Sequence, residues 1–444
     1  MLFIQTHYGA EVAAFHGLQN KTLIRKPGSG REEVTGHGKI AAPSASPRDL
    51  ACMHLTHLLA RWQPLWRPLP FQHPVLPWEA DYPELGAMLR SLTDEDCARL
   101  EDDPFTDSPL ARWLPVEALA ELVTLPALSA RNATKLPEAW CQHVGGRKWQ
   151  QIEAFAERLA FIPGQKLVEW CAGKGHLSRT LARLLESEVS ALEWQQALCD
   201  QGQALAERQG VALRMCRQDV LAPEVADALK PDSHLMALHA CGDLHVRLLE
   251  LAAERGSAVT LAPCCYQRTT AEHYRPLSRE GRRLCERFGL SLSREDLALA
   301  VQETVTAPRN VRLNRQKASA WRLGFDELQR ELRGLDAYLP VPSLAYGALP
   351  SSFEGFCHWA ADRKAITLPD GIDWARHEQA GWRRHGEVAR LELVRHLFRR
   401  PLEVWLARDR ARMLEEAGLA VELGTFCKRS LTPRNLMLRA RAPA

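Results

Sequence analysis

The sequence predicts an α/β protein with a seven-stranded, doubly wound sheet. Between residues 149 and 266, five strand-like runs alternate with segments that carry apolar residues at helical spacing. This alternation is typical of a parallel sheet with helices on both faces. Two further strand-like runs, at 419–426 and 434–441, follow a long helical pattern near the end of the chain. They predict that the sheet ends in a hairpin.

Each of the first four predicted strands leads into a helical pattern. The strands lie in QKLVEW, SEVSALEW, VALRMCRQD, HLMALHA and SAVTLAPCCY. The helical patterns that follow are LSRTLARLLE, QQALCDQGQALAERQG, LAPEVADALK and GDLHVRLLELAAERG. A last helix is predicted from Glu387, with an interruption at Pro401, because proline lacks the N–H donor that a helix interior needs. An antiparallel final strand is the Rossmann-like arrangement of class I methyltransferases, and it is not typical of dinucleotide-binding folds.

Composition divides the rest of the chain. Residues 1–50 are predicted to be a disordered extension, because they include a polar stretch rich in Gly, Pro and Ser without a structural period. Residues 51–135 are predicted to be a mainly helical region. The sheet is then divided between residues 136–269, which hold strands one to five, and 385–444, which hold the last helix and hairpin. Residues 270–384 are a partly helical insertion.

Charge and cysteine content limit the class of protein. The net charge is only +3, but residues 376–444 hold 15 Lys/Arg against 8 Asp/Glu, as suits a polyanion such as RNA. A solvated arginine-rich helix face explains the same excess. The chain has 12 cysteines without a CxxC pair, which indicates cytosolic thiols and not a disulfide framework. We expect a cytoplasmic protein without a membrane segment.

A glycine loop follows the first predicted strand, in VEWCAGKGHLS at residues 168–178. A serine stands where the dinucleotide fingerprint GxGxxG needs its third glycine, and the P-loop pattern is absent. An acid at the strand end with alternate glycines is the usual pattern for S-adenosylmethionine (SAM), and here Cys171 replaces the first glycine. The Glu169 carboxylate favours cationic SAM and disfavours a pyrophosphate. Gly173 and Gly175 allow the backbone to approach the ligand closely.

Two more acids end the next strands, where a SAM site needs them. Glu193 ends the second predicted strand, 18 residues beyond Gly175, and is suited to accepting hydrogen bonds from both ribose hydroxyls. Asp219 ends the third and is suited to the adenine amino group. Each alone is a surface residue by default. Three acids at consecutive strand ends favour SAM as the cofactor.

Several motifs resemble one branch of SAM-dependent methyltransferases. They are GGRKWQQIEAFA, VEWCAGKGHLS, LHACGDL, PCCYQ, RRPLEVWLARDRARMLEEAGL and SLTPRNLML. The chain resembles the branch that contains the eukaryotic tRNA 2′-O-methyltransferase acting on the acceptor stem and the methyltransferase-like 25 proteins. The resemblance covers most of residues 140–270 and 385–444, and implies SAM as cofactor and RNA as the leading substrate class. The zinc-binding modules of the tRNA enzyme have no counterpart in the cysteine spacing.

Candidates for catalysis follow the fourth and fifth predicted strands. Asp243 is suited to orienting or deprotonating a substrate hydroxyl or amine, and equally to capping the helix that follows. His239 is suited to contacting the cofactor or acting as a base, although a hydrogen-bonded structural role is commoner. Tyr266 is expected at the mouth of the site, where an aromatic ring can stack on a base.

Three cysteines lie in the same two segments, at Cys241, Cys264 and Cys265. Adjacent cysteines chelate one ion poorly, and the spacing matches no standard zinc site. They are therefore predicted to be buried thiols, and no metal is expected.

Basic residues are the candidates for binding substrate. Lys174 lies in the glycine loop, and Lys428, Arg429 and Arg434 lie between the last two predicted strands. Because the final strand is antiparallel, that loop is expected at the ligand edge, where cations suit a phosphate backbone. Solubilising charge at a turn is the alternative interpretation.

Three functions stay open from the sequence. The first is methylation of RNA, either tRNA or rRNA. The second is methylation of a protein or small molecule, which the low net charge and 12 acids against 3 arginines in residues 79–121 favour. The third is a binding protein that kept the fold and lost catalysis, which is suggested by Cys171 in place of a glycine and by the lack of a decisive catalytic residue in the sequence.

Overall fold

The seven-stranded sheet is present in the structure, a computed structural model that describes residues 47–131, 136–142, 144–230, 232–302, 309–344 and 348–443. The strands are β1 (Lys166–Trp170), β2 (Val189–Glu193), β3 (Leu213–Arg217), β4 (Ser233–Cys241), β5 (Ala258–Cys264), β6 (Ala420–Thr425) and β7 (Leu436–Arg441). Their order across the sheet is β3-β2-β1-β4-β5-β7-β6. All seven predicted strands are confirmed, with ends shifted by a few residues.

Strand direction brings the predicted site residues to one edge. Strands β1 to β5 pair in parallel, and β7 pairs antiparallel with both β5 and β6. β6 therefore runs parallel to β5, and the β6–β7 loop lies at the edge where β1 to β5 end, called here the carboxyl edge. The chain order reverses between β1 and β4, which is where ligands bind in open α/β sheets.

Fourteen α-helices surround the sheet within the described residues. They are α1 (Pro47–Arg61), α2 (Gln63–Trp66), α3 (Pro83–Ser91), α4 (Asp94–Asp102), α5 (Val116–Val123), α6 (Gly146–Arg158), α7 (His176–Leu185), α8 (Gln196–Gln209), α9 (Asp243–Arg255), α10 (Arg279–Phe288), α11 (Arg294–Leu299), α12 (Arg309–Arg333), α13 (Phe353–Lys364) and α14 (Trp374–Glu416). Short 3₁₀ helices span Pro77–Ala80, Pro109–Arg112, Glu138–Trp140 and Pro223–Ala228. None of the described helices is long and apolar enough to cross a bilayer.

Three boundaries differ from the sequence predictions. Of the extension predicted for residues 1–50, residues 1–46 lie outside the described part of the chain, and Pro47–Leu50 begin α1. The segment LAPEVADALK forms only the 3₁₀ helix Pro223–Ala228 between β3 and β4. The last helix begins at Trp374, so α14 includes part of the predicted insertion.

The predicted interruption at Pro401 is wrong. Helix α14 continues through Pro401, which is buried. Proline costs a helix about 3 kcal/mol by removing a hydrogen bond and crowding the preceding turn. Leu397, Phe398, Leu402 and Trp405, each at most 1% exposed, bury the same stretch on several sides. Burying large apolar side chains gains about 1.5–3 kcal/mol each, so tertiary packing outweighs the local cost.

Helix α14 also joins the N-terminal helices to the core. The Trp405 indole donates to Thr56 Oγ1 at 2.9 Å, and Arg395 Nη1 donates to the carbonyls of Trp66 and Arg67 at 2.8 and 2.7 Å. Residues of α1 to α5 and of α14 share one hydrophobic cluster. The region predicted as mainly helical is therefore helical and packs directly on the last helix.

Candidate active site

The glycine loop between β1 and α7 has a left-handed backbone at alternate residues. The φ angles are +58° at Cys171, +60° at Gly173 and +63° at Gly175. A Cβ on Gly173 would meet no atom within 4 Å, whereas a Cβ on Gly175 would lie 3.0 Å from Met215 Sδ. Gly175 therefore allows the loop to pack on β3, and Gly173 leaves space open at the carboxyl edge. Gly173, and not Gly175, therefore suits the close approach of a ligand.

Glu169 connects the end of β1 to the first turn of α7. Its side chain is 4% exposed, and Oε2 accepts hydrogen bonds from the Ser178 backbone at 2.9 Å and from the Ser178 hydroxyl. Burial raises the pKa of this carboxyl from 4.5 to about 7. The sequence predicted a cofactor-binding residue here. The structure shows a carboxyl group that holds the first turn of α7 through Ser178, and its role toward a cofactor stays a prediction.

The acid that ends β2 is joined to the same loop. Glu193 Oε2 accepts a hydrogen bond from the Gly173 backbone at 2.9 Å, and Oε1 accepts one from Gln195 at 3.0 Å. Burial, and then the charge of Glu193, raise the pKa of the Cys171 thiol to about 12, which keeps that thiol neutral. Asp219 is exposed after β3, and its Oδ1 accepts from Leu221 N at 2.9 Å. The predicted acids thus lie at the carboxyl ends of β1, β2 and β3, and all three act electrostatically on Cys171 in the glycine loop.

The ends of β4 and β5 are joined by backbone hydrogen bonds. Gly242 N donates to the Cys264 carbonyl at 3.2 Å, and Asp243 N donates to the Arg268 carbonyl at 3.0 Å. Gly242 has φ +54°, and any Cβ there would overlap the Arg268 carbonyl. Asp243 Oδ2 accepts from the Thr270 backbone at 3.0 Å. Its carboxylate therefore holds the loop after β5, and Gly242 is the residue at the N-cap of α9. The catalytic role considered for Asp243 stays a prediction.

His239 reaches the carboxyl edge through a bulge. The register of β4 against β5 shifts between Leu238 and Cys241, and His239 has φ +75°. Its Nε2 lies 2.8 Å from Gln151 Oε1 of α6. Loss of hydration around the ring, and then the charge of Lys148, lower the pKa of His239 below its ordinary value of 6.5. The imidazole is therefore neutral at neutral pH and able to accept a proton.

Tyr266 is not at the mouth of the site. Its side chain is 2% exposed and lies 5.9 Å from the His245 ring, with the Arg410 guanidinium 4.7 Å from its own ring. The prediction of an exposed stacking residue is wrong, because the chain turns inward after β5 and buries the ring against α14. Among the residues that the structure describes, none forms a hydrogen bond with the Tyr266 hydroxyl, and burial raises the pKa of this group above its ordinary value.

Trp194 is the aromatic residue that the sequence analysis missed. It directly follows Glu193 at the end of β2, and it is 61% exposed. Single exposed apolar side chains are common, so it is the position of Trp194 next to Glu193 that makes it a candidate. The signal was present in the sequence as an aromatic residue immediately after a strand-terminal acid. Trp194 is suited to stacking on an adenine ring.

The predicted substrate cations occupy different surroundings. Lys174 and Lys428 are exposed at the carboxyl edge. Arg429 forms an ion pair with Asp102 at 3.7 Å, and Arg434 donates to the Val301 carbonyl. Lys148 and Arg268, which the sequence analysis did not select, are exposed and act electrostatically on His239 and Cys265 respectively.

Three thiols meet between the ends of β4 and β5. The sulfur atoms of Cys241, Cys264 and Cys265 all lie within 4.8 Å of one another. Cys241 Sγ and Cys264 Sγ are 3.7 Å apart. Hydrogen bonds from Cys241 and then Cys264 lower the pKa of the Cys265 thiol. The sequence analysis weighed these cysteines as ligands of one metal and rejected that interpretation from their spacing. Spacing along the chain does not show how a bulge aligns two strands.

Comparison with protein families agrees with the predicted class. Residues 147–272 match a family model described as a methyltransferase domain. Two similar solved structures are a geranyl diphosphate methyltransferase in complex with GPP and sinefungin (13% identity, TM-score 0.23) and a coclaurine N-methyltransferase bound to N-methylheliamine and SAH (14% identity, TM-score 0.22). They align with 41% and 48% of this chain, which spans 65% and 58% of their lengths. The family match covers the glycine loop and β1 to β5, and supports a SAM-dependent methyltransferase.

Proposed function

We propose that this chain is a cytoplasmic SAM-dependent methyltransferase that acts on RNA, either tRNA or rRNA. The observation that carries the proposal is the group of residues at the carboxyl edge. Gly173 leaves open space in the glycine loop, Glu193 contacts its backbone, and Trp194 and Asp219 follow the ends of β2 and β3 at the same edge. This set offers acceptors for ribose hydroxyls and the adenine amino group, an aromatic face for the adenine ring, and negative charge for a sulfonium and an ammonium.

RNA is the favoured substrate class because several cations lie at this edge. Lys174 and Lys428 are exposed, Lys148 acts on His239, and Arg268 and Arg434 act on Cys265. They come from four segments of the chain and converge on one edge, as phosphate binding requires. The resemblance to the branch with the acceptor-stem tRNA enzyme supports the same class.

His239 is the residue best suited to accept the substrate proton. Bound SAM supplies an activated methyl group, so the protein has to align the nucleophile and relieve it of its proton. The contact between His239 Nε2 and Gln151 Oε1 makes Nε2 the donor. In the neutral ring Nδ1 is then the basic nitrogen. Asp243 acts as a positioning residue, since its carboxylate fixes Thr270 in the neighbouring loop.

One observation favours the second candidate, methylation of a protein or small molecule. The acidic stretch at residues 79–121 reaches the carboxyl edge, where Asp102 forms an ion pair with Arg429. Negative charge at that place opposes a polyanion. A binding protein without turnover is the third candidate. The feature that suggests it is Cys171, which stands in the glycine loop in place of the usual first glycine.

The test uses extract from cells that lack the gene. Purified full-length chain is incubated with methyl-labelled SAM and extract, and the products are treated with ribonuclease or with protease. We expect label that ribonuclease removes and protease does not. Label that only protease removes, or label in the small-molecule fraction, selects the second candidate. SAM binding without any transfer selects the third.

The His239→Gln variant tests the proposed base separately. Glutamine retains a polar contact with Gln151 but cannot take the proton, so we expect kcat to fall by about 100-fold or more while SAM affinity stays unchanged. An Arg429→Gln variant is the control for charge at the same edge. It should alter KM for the substrate and leave kcat unchanged.

A further inference from the structure

We propose that Cys241, Cys264 and Cys265 form a zinc site at the carboxyl edge of the sheet. The proposal does not depend on methyl transfer. Its first support is distance. A tetrahedral zinc ion holds each thiolate at about 2.3 Å, so two of its sulfur ligands lie about 3.8 Å apart. Cys241 Sγ and Cys264 Sγ are 3.7 Å apart, and the third sulfur lies within 4.8 Å of both.

The backbone is shaped to bring these sulfurs together. Successive side chains of a strand point to opposite faces, so Cys264 and Cys265 would diverge if β5 simply continued. Cys265 instead has φ +48°, a left-handed conformation that is unfavourable for a non-glycine residue. On the neighbouring strand, the bulge after Leu238 sets Cys241 directly opposite Cys264. Both irregularities act on the same three side chains.

Burial and charge suit an ion held by thiolates. Cys264 is 4% exposed, whereas Cys241 and Cys265 are half-buried and accessible from the carboxyl edge. Zinc with three thiolates carries one net negative charge. Arg268 and Arg434 act electrostatically on Cys265 and oppose that charge. A tetrahedral ion with three protein ligands keeps one position for a ligand from solution, the arrangement of catalytic zinc sites.

Spectroscopy with Co²⁺ in place of zinc tests the site in the full chain. Reduced, chelator-treated protein is titrated with Co²⁺ and then with Zn²⁺. We expect one Co²⁺ per chain, thiolate-to-metal charge-transfer absorption, and loss of that absorption when Zn²⁺ displaces Co²⁺. The Cys241→Ser and Cys265→Ser variants should each bind Co²⁺ at least tenfold more weakly. The Cys427→Ser variant removes another half-buried thiol near the same edge, and it should bind like the unmodified chain.

A second measurement guards against misfolded variants. One equivalent of Zn²⁺ should raise the thermal unfolding midpoint of the unmodified chain, because a ligand that binds only the folded state stabilises it. Absence of charge-transfer absorption from fully reduced protein would overturn the proposal. So would absorption that survives in both Cys241→Ser and Cys265→Ser. Detection of a Cys241–Cys264 disulfide as the stable form in the presence of Zn²⁺ would overturn it as well.

Discussion

Replacing Gly173 by alanine separates ligand binding from stability. Gly173 has φ +60° and faces open space, so the added methyl group strains the backbone and enters the proposed cofactor volume. Gly210 is a matched control. It has φ +61° and open space around its Cβ, but it ends α8 at the opposite edge of the sheet. The Gly210→Ala variant therefore carries the same backbone strain without approaching the site.

The expected magnitudes follow from these two environments. A left-handed alanine costs about 1–2 kcal/mol, so both variants should lose that much free energy of unfolding in urea titrations. Only Gly173→Ala should weaken SAM binding, by tenfold or more, which corresponds to about 1.4 kcal/mol. Isothermal titration calorimetry with SAM measures this difference. Equal SAM affinity in Gly173→Ala, Gly210→Ala and the unmodified chain would refute the placement of the cofactor.

Three further predictions concern the same edge. Trp194→Ala should weaken SAM binding by several-fold in calorimetry. Because the ring is exposed, it should change the free energy of unfolding by at most about 0.5 kcal/mol. The control is Trp382→Ala, also at an exposed ring, which should leave SAM affinity unchanged. Gly242→Ala should cost about 3 kcal/mol in urea unfolding, because its Cβ would overlap the Arg268 carbonyl. Glu169 has a folded-state pKa near 7 against an ordinary 4.5. The protonated Glu169 side chain therefore stabilises the folded state below pH 4.5. As pH rises through 7 this contribution is lost, and the free energy of unfolding falls by about 3 kcal/mol. In urea unfolding without cofactor, the free energy of unfolding of the Glu169→Gln variant should lack this pH dependence. A pH profile equal to that of the unmodified chain would contradict the prediction.

The sheet was predictable from sequence because its signal is local and repeated. Each strand is a short apolar run next to a helical pattern, and the terminal hairpin in LAVELGTF and RNLMLRAR fixed the position of β7. The carboxyl-edge position of Lys428 and Arg434 followed from that topology alone. Direction and order of strands are sufficient for such an inference, since the ends of parallel strands share one edge.

The features that could not be predicted from the sequence depend on packing between distant segments of the chain. Pro401 is a helix breaker by local rules, but the packing around α14 outweighs its cost. Tyr266 follows a strand-end motif like those around it, and only the chain path after β5 turns it into the core. The convergence of Cys241 with Cys264 depends on a bulge in β4, for which the sequence carries no distinct pattern.

Photo-cross-linking of labelled SAM to the full chain, followed by peptide mapping, tests the central claim most directly. Ultraviolet light couples a bound adenine ring to the side chains that contact it, and proteolysis then shows which peptides carry label. We predict label in the peptides that contain the glycine loop around Gly173 and the strand end at Glu193 and Trp194, with labelling reduced by excess unlabelled SAM. Competable label confined to peptides away from the carboxyl edge would contradict the account.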